Sequence, residues 1–293
     1  MLNNSVNGLI DISDVDTYPL ELFDYLESNK SLFLDFCETE KYFSELMARD
    51  VSFRTLRYSN KFVGKCINCF MKINEMILNH SFLYVHYTRL LKQEIGDIKQ
   101  NGLKMLTPQL IKQKLDFIDS NSILSTSTVC HLRKTSNKCF SGYSFAERKN
   151  MVWVTSLNDT CNDYGGIIHL LNNWGGENIF QKNRETNLLK SIGFPSLVMV
   201  NFSFRELDNL FSDLSIAYYV VHHYMRNCHD RIFECSVLYC DDIEYCFDRV
   251  NEFYLESDLH KNNIIEIYKL GDSFFNQTIS DEIIKDLHTP KII

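Results

Sequence analysis

The chain has 293 residues, 45% of them hydrophobic and 23% charged, which excludes a disordered or collagen-like chain and leaves enough length for a sizeable core. Its formal net charge of -8 falls in blocks: residues 1–50 hold 11 acidic and 3 basic side chains, residues 51–150 hold 16 basic and 6 acidic, and residues 151–293 hold 11 basic and 21 acidic. No run nears the roughly 18 apolar residues of a membrane span, and the start lacks the basic-then-apolar pattern of a secretory signal; the 10 cysteines then read as reduced thiols of a cytoplasmic protein.

Residues 18–80 carry apolar side chains at helical spacing, among them Leu20, Phe23 and Leu26, then Phe33 and Phe36, then Phe62, Cys66, Phe70 and Ile73. About three helices are expected there, the first opening at Pro19. The texture changes at Phe82–Tyr87, a short aromatic and β-branched run of strand type. A helix is expected over Leu91–Gln100, closed by Asn101-Gly102. Strands are expected at Ile123–Thr128, Met151–Thr155, Leu197–Phe202 and Ile232–Leu238, and helices at Ile167–Asn173, Phe204–Phe211 and Ser215–His223. This order predicts an α+β protein: a helical N-terminal region over 1–80, then a mixed domain over 81–293.

Common catalytic signatures are missing. Cys66-Ile-Asn-Cys69 is the one C-x-x-C pair, and both cysteines fall on an apolar helix face, so no metal site is expected. There is no P-loop, no G-x-G-x-x-G and no G-x-S-x-G elbow. The basic middle of the chain suits a polyanion or pyrophosphate, with Arg133, Lys134 and Lys138 in one polar loop as candidate contacts. The same charges would equally serve a solvated surface on which basic and acidic faces pair. Trp174-Gly175-Gly176-Glu177 has two readings as well: a ligand-approaching turn with Glu177 as a base, or a helix C-cap with Trp174 in the core.

The informative stretch is Leu83-Tyr84-Val85-His86-Tyr87-Thr88-Arg89, followed by Ile95, Ile98 and Asn101-Gly102-Leu103. It resembles the first motif of the ADP-ribosyltransferase superfamily, in the branch of diphtheria-toxin-like enzymes and poly-ADP-ribose polymerases, and is similar to bacterial toxins of that fold. Met151-Val152-Trp153-Val154-Thr155 resembles the second strand, and Tyr164 stands eleven residues after Trp153, where polymerase-like members place a stacking aromatic. Ser125-Thr126-Ser127 imitates the second strand of the other branch and stays open as an alternative to Trp153. Arg231-Ile232-Phe233-Glu234-Cys235-Ser236-Val237-Leu238 resembles the late strand that carries the catalytic Glu.

The resemblance implies two packed small sheets around an NAD cleft. It implies that His86 holds the adenosine ribose, that the backbone at Tyr87 holds the nicotinamide amide, and that Thr88, Arg89, Trp153 and Tyr164 complete the NAD site, with Arg89 at the pyrophosphate. Glu234, with His86, would be catalytic. NAD is then a co-substrate without a metal, and the activity is mono-ADP-ribosylation of a macromolecule, DNA or RNA before protein, by a bacterial toxin or antiviral defence effector. A neutralising partner could dock on the acidic helical N-terminus. NAD glycohydrolysis and a non-enzymatic binding module on a degenerate transferase fold are the alternatives.

Overall fold

The structure is a computed structural model and describes residues 8–50, 60–139, 149–157, 164–176, 179, 187–206, 215–230, 233, 237–240, 243–246 and 252–287. In chain order it forms β1 (Leu9–Ile10), α1 (Leu20–Arg49), α2 (Val63–Ile77), β2 (Ser81–Leu90), α3 (Lys92–Asn101), α4 (Pro108–Ser120) and α5 (Thr126–Cys139). Then come β3 (Val152–Thr155), α6 (Tyr164–Asn172), α7 (Leu188–Ser191), β4 (Phe194–Ser203), α8 (Ser215–His229), β5 (Val237–Cys240) and β6 (Ile243–Cys246). β7 (Glu252–Leu255), β8 (Ile264–Lys269), α9 (Ser273–Thr278) and α10 (Asp281–Asp286) follow. The protein is α+β, and among the described residues no helix is long and apolar enough to cross a membrane.

Two compact units divide the chain: Met1–Phe82 with Ser203–Val250, and Leu83–Phe202 with Asn251–Ile293. Residues 203–250, placed by the sequence pattern in the second domain, thus cluster with the helical N-terminal part.

In the helical unit, α1 buries Leu22, Leu26, Phe33 and Phe36, and α2 buries Cys66, Cys69, Phe70, Ile73 and Ile77. The C-x-x-C pair is therefore part of a helix core. Phe233 is the hub of that core, stacked on Phe36 at 4.9 Å between ring centroids and meeting Phe33 and Phe70 edge-on. Its carbonyl accepts hydrogen bonds from Tyr218 Oη and from Nδ1 of His222, both on α8. β1 runs parallel to the first residues of β2, pairing Leu9 with Ser81 and Ile10 with Phe82. β5 and β6 form an antiparallel hairpin.

Just after β1, Asp11 is buried while accepting hydrogen bonds from Ser13 N at 2.9 Å and Ser13 Oγ at 2.5 Å. Burial pushes its carboxyl above the usual value of 3.8, against the pull of Ser13 and of His223 and with the help of Asp14. A carboxyl raised in the folded state adds stability below its unfolded value, and that contribution is lost as pH rises through the folded one. Asp11→Asn keeps the accepting oxygen without the charge. The variant is expected to melt above the wild type at pH 7 and to lose that advantage at pH 3, in paired thermal scans.

In the second unit the strands lie in the order β7-β3-β2-β4-β8. β3 is antiparallel to β2 and to β7, and β4 is antiparallel to β8. Tyr84 on β2 stacks on Phe202 of β4 at 4.3 Å and meets Phe253 of β7 at 5.2 Å. Away from the sheet, Ile111, Leu115 and Ile118 of α4 and Val129 and Leu132 of α5 bury Trp174, Leu189 and Ile192.

Two sequence expectations are corrected here. Ile123–Thr128 is not a strand: Ser125 caps a helix, its Oγ accepting from Thr128 N at 3.2 Å, and α5 starts at Thr126. The basic stretch is not a loop either, because Val129, Leu132 and Ser136 recur at helical spacing as the buried side of α5. α4 escaped the sequence reading although Thr107 caps it and Pro108 opens it. Of the strand expected over Ile232–Leu238, Val237 and Leu238 lie in β5, Phe233 is in no strand, and 232 and 234–236 lie outside the described residues.

Gly102 ends α3 with φ +82, and a Cβ there would lie 1.9 Å from the backbone oxygen of Leu259. That approach carries the paired hydrogen bonds between Leu103 and Leu259, at 3.0 and 2.9 Å. Gly102→Ala is expected to cost roughly 3 kcal/mol through left-handed strain and displaced backbone. A lower urea midpoint with an unchanged slope is the result to look for.

Candidate functional site

From Phe82 to Leu90 every residue of β2 is buried except His86, which is half-buried. His86 is thus the one break in cover between Phe82 and Leu90. β2 and β3 register at Val85 and Thr155. His86 bonds to the neighbouring strand through its ring, with Nδ1 2.7 Å from the carbonyl oxygen of Trp153.

That contact decides the tautomer. A carbonyl oxygen only accepts, so Nδ1 carries the proton and Nε2 of the neutral ring carries a lone pair. Burial pushes the imidazole below the usual histidine range, the Trp153 carbonyl opposes this, and the positive charge of Lys114 adds to the lowering. His86 is therefore a neutral acceptor at physiological pH, suited to a ligand hydroxyl or a proton in transfer.

Strand alternation sorts the remaining candidates by face. Val85 and Thr155 are opposite one another and share a face, as do Trp153 and Tyr254. Trp153 consequently lies on the Val85 face, its ring 5.0 Å from that of Tyr254. His86 lies on the Tyr84 face, with Val154 and Phe253. The structure joins His86 to Trp153 through the backbone carbonyl, while their side chains take opposite faces of the sheet. Tyr87 is buried, its hydroxyl 3.4 Å from the carbonyl of Leu157, and Thr88 is buried beside it.

Arg89 is fully buried and spans three backbone carbonyls: Nε to Ile192 at 2.7 Å, one terminal nitrogen to Leu171 at 3.2 Å, the other to Lys190 at 2.6 Å. Burial pushes the guanidinium down to about 10, still charged at neutral pH. These bonds join the end of α6 to α7 and to the turn before β4, so the planar fork is committed to the scaffold.

The basic helix α5 is committed in part as well. Arg133 meets Asp116 at 2.8 Å and Asp119 at 2.9 Å, both on α4. Their carboxylates, Asp119 first, hold the guanidinium above its usual range. Lys134 is exposed, and Lys138 lies on α5 with its side chain outside the described residues. Tyr164 opens α6, and its side chain too lies outside them. Glu177 and Glu234 lie outside the described residues altogether. Trp174 is fully buried, as the core reading of that motif has it, but α6 ends at Asn172, and Gly175, with φ +92, turns the chain three residues beyond it.

Sequence reasoning missed a charged cluster on α3 and α4. Glu94 Oε2 accepts from Leu91 N and from Nε1 of Trp174, each at 2.8 Å, and Lys114 Nζ lies 2.7 Å from Oε1. The capping relation of Glu94 to Leu91 is local in sequence, three residues apart. Trp174 and Lys114 join it only through the tertiary fold.

Compared with protein-family models, curated proteins and solved structures, the chain matches none. The functional reading therefore rests on its own residues.

Proposed function

We propose that this protein is an NAD-dependent mono-ADP-ribosyltransferase acting on a macromolecule, nucleic acid before protein, in the manner of a toxin or antiviral defence effector. The supporting observation is His86: a neutral imidazole, half-buried between the buried residues of β2, its Nδ1–H given to the Trp153 carbonyl and its Nε2 left as acceptor. Such a group receives a ribose hydroxyl without competing for a proton. Trp153 contributes its carbonyl to this arrangement, and Tyr164, at the start of α6, is the aromatic proposed to stack on nicotinamide.

In the proposed reaction the bond between nicotinamide and ribose C1′ breaks, and nicotinamide leaves with the bonding pair. The sugar passes through an oxocarbenium-like state. Glu234 is the proposed carboxylate that stabilises this cation electrostatically. A lone pair of the acceptor closes the new bond to C1′, and the acceptor gives up its proton.

A second reading, hydrolysis with water as acceptor, is favoured by one observation. Arg133, a proposed acceptor contact, is already held by Asp116 and Asp119. Incubation with labelled NAD and a mixed cell extract, followed by separate protease, DNase and RNase digestion, tests both readings. Label freed by a nuclease supports the first, and free ADP-ribose with no macromolecular label supports the second. Absence of nicotinamide release sinks both.

A further inference from the structure

Two side chains of α8 converge on one backbone atom. Tyr218 Oη lies 3.1 Å from the carbonyl oxygen of Phe233, and Nδ1 of His222 lies 2.7 Å from the same oxygen. A carbonyl only accepts, so this Nδ1 carries a proton, and both lone pairs of the oxygen are taken. Tyr218 and His222 stand four residues apart, which sets the two donors one above the other on one side of the helix. We propose that Tyr218 and His222 are positioning residues for the reaction: through the Phe233 carbonyl they set the peptide that leads into Glu234, the next residue of the chain. This rests on the reading of Glu234 as the carboxylate of the reaction given above.

Burial alone asks for less. One partner satisfies a buried carbonyl, and a single bond lets the peptide swing about it. Two donors on one oxygen remove that freedom. The Phe233 side chain is fixed as well, wholly buried against Phe33, Phe36 and Phe70. Ring and carbonyl together hold the residue at both ends. The carbonyl carbon is joined to the nitrogen of Glu234 in one planar unit, so the direction given to the oxygen is passed on to that nitrogen. A carboxylate that acts electrostatically on a cationic sugar needs placement to within about 0.5 Å, which its supporting contacts must supply.

Nicotinamide release from NAD by the full chain is measured as kcat and KM, with urea unfolding in parallel. Tyr218→Phe removes one donor and keeps the ring against Phe70 and Phe233. His222→Leu removes the other. The double variant is expected to lower kcat roughly ten- to a hundredfold with KM for NAD near the wild-type value, as for a misplaced reacting group. His222→Asn offers an amide nitrogen as far along the side chain as the imidazole Nδ1, and should recover most of what His222→Leu loses. Combined with Glu234→Gln, the same changes should lower kcat no further, because the charge they place is already gone. Tyr218→Phe alone carries the test if the double variant does not fold.

A wild-type kcat in the folded variants overturns the proposal, as does His222→Asn no better than His222→Leu. An equal loss with and without Glu234→Gln, or a loss confined to the urea midpoint, overturns it too, since packing alone would give either. All these outcomes leave Glu234 its role where Glu234→Gln by itself is slow. Full activity in Glu234→Gln, or no nicotinamide release from the wild type, removes the reading of Glu234 and the proposal together.

Discussion

Glu234→Gln is expected to lower nicotinamide release from NAD a hundredfold or more while NAD still binds. Gln keeps the shape and the hydrogen-bonding capacity of Glu but not the charge proposed to face the cationic sugar. Loss of one such preorganised contact costs roughly 3–4 kcal/mol of transition-state stabilisation. The loss should appear in kcat with KM nearly unchanged, since the interaction develops only as the bond breaks. A Gln variant as active as the wild type would move catalysis to another carboxylate, with Glu177 the next to replace.

Arg89→Ala is expected to act on stability. The side chain is wholly enclosed and its three bonds end on the backbone carbonyls of Leu171, Lys190 and Ile192. Each buried acceptor left without a donor costs about 1–3 kcal/mol, so the total loss is on the order of 3 kcal/mol or more. Lys in its place retains the charge but offers one compact ammonium for three separated oxygens, and should recover little. A variant that unfolds early in urea yet binds NAD normally where folded is the expected pattern. A stable variant with weakened NAD binding would return Arg89 to the pyrophosphate role.

Much of the architecture was legible because it is written in short-range pattern. The periodic apolar residues of α1 and α2, the enclosed run of β2 and the Asn101-Gly102 stop of α3 all act within a few residues of themselves. The errors have local causes too. Ser125-Thr126-Ser127 has β-branched and hydroxyl side chains at strand-like density, but Ser125 can cap a helix, and the buried spacing of Val129 and Leu132 decides for the helix. β7 and β8 were not read, because short strands such as Glu252–Leu255 gain their stability from partners far along the chain.

The candidate site divides the same way. The sequence by itself determined which side chains are chemically able to act: a His inside an apolar strand, an Arg three residues on, carboxylates set among apolar neighbours. It also determined the α+β class and the two helices Leu20–Arg49 and Val63–Ile77. Only the tertiary structure decided what those groups meet. A guanidinium has the same formula whether it meets pyrophosphate or three carbonyls, and Arg89 meets those of Leu171, Lys190 and Ile192, 82 to 103 residues away. The Nδ1–H tautomer of His86 depends on a carbonyl 67 positions distant, and Lys114 gains its fixed place from Glu94 and Trp174, which the sequence keeps apart. Protonation, tautomer and charge pairing are set by whatever lies within a few ångströms, and that neighbourhood is assembled by folding rather than by order along the chain.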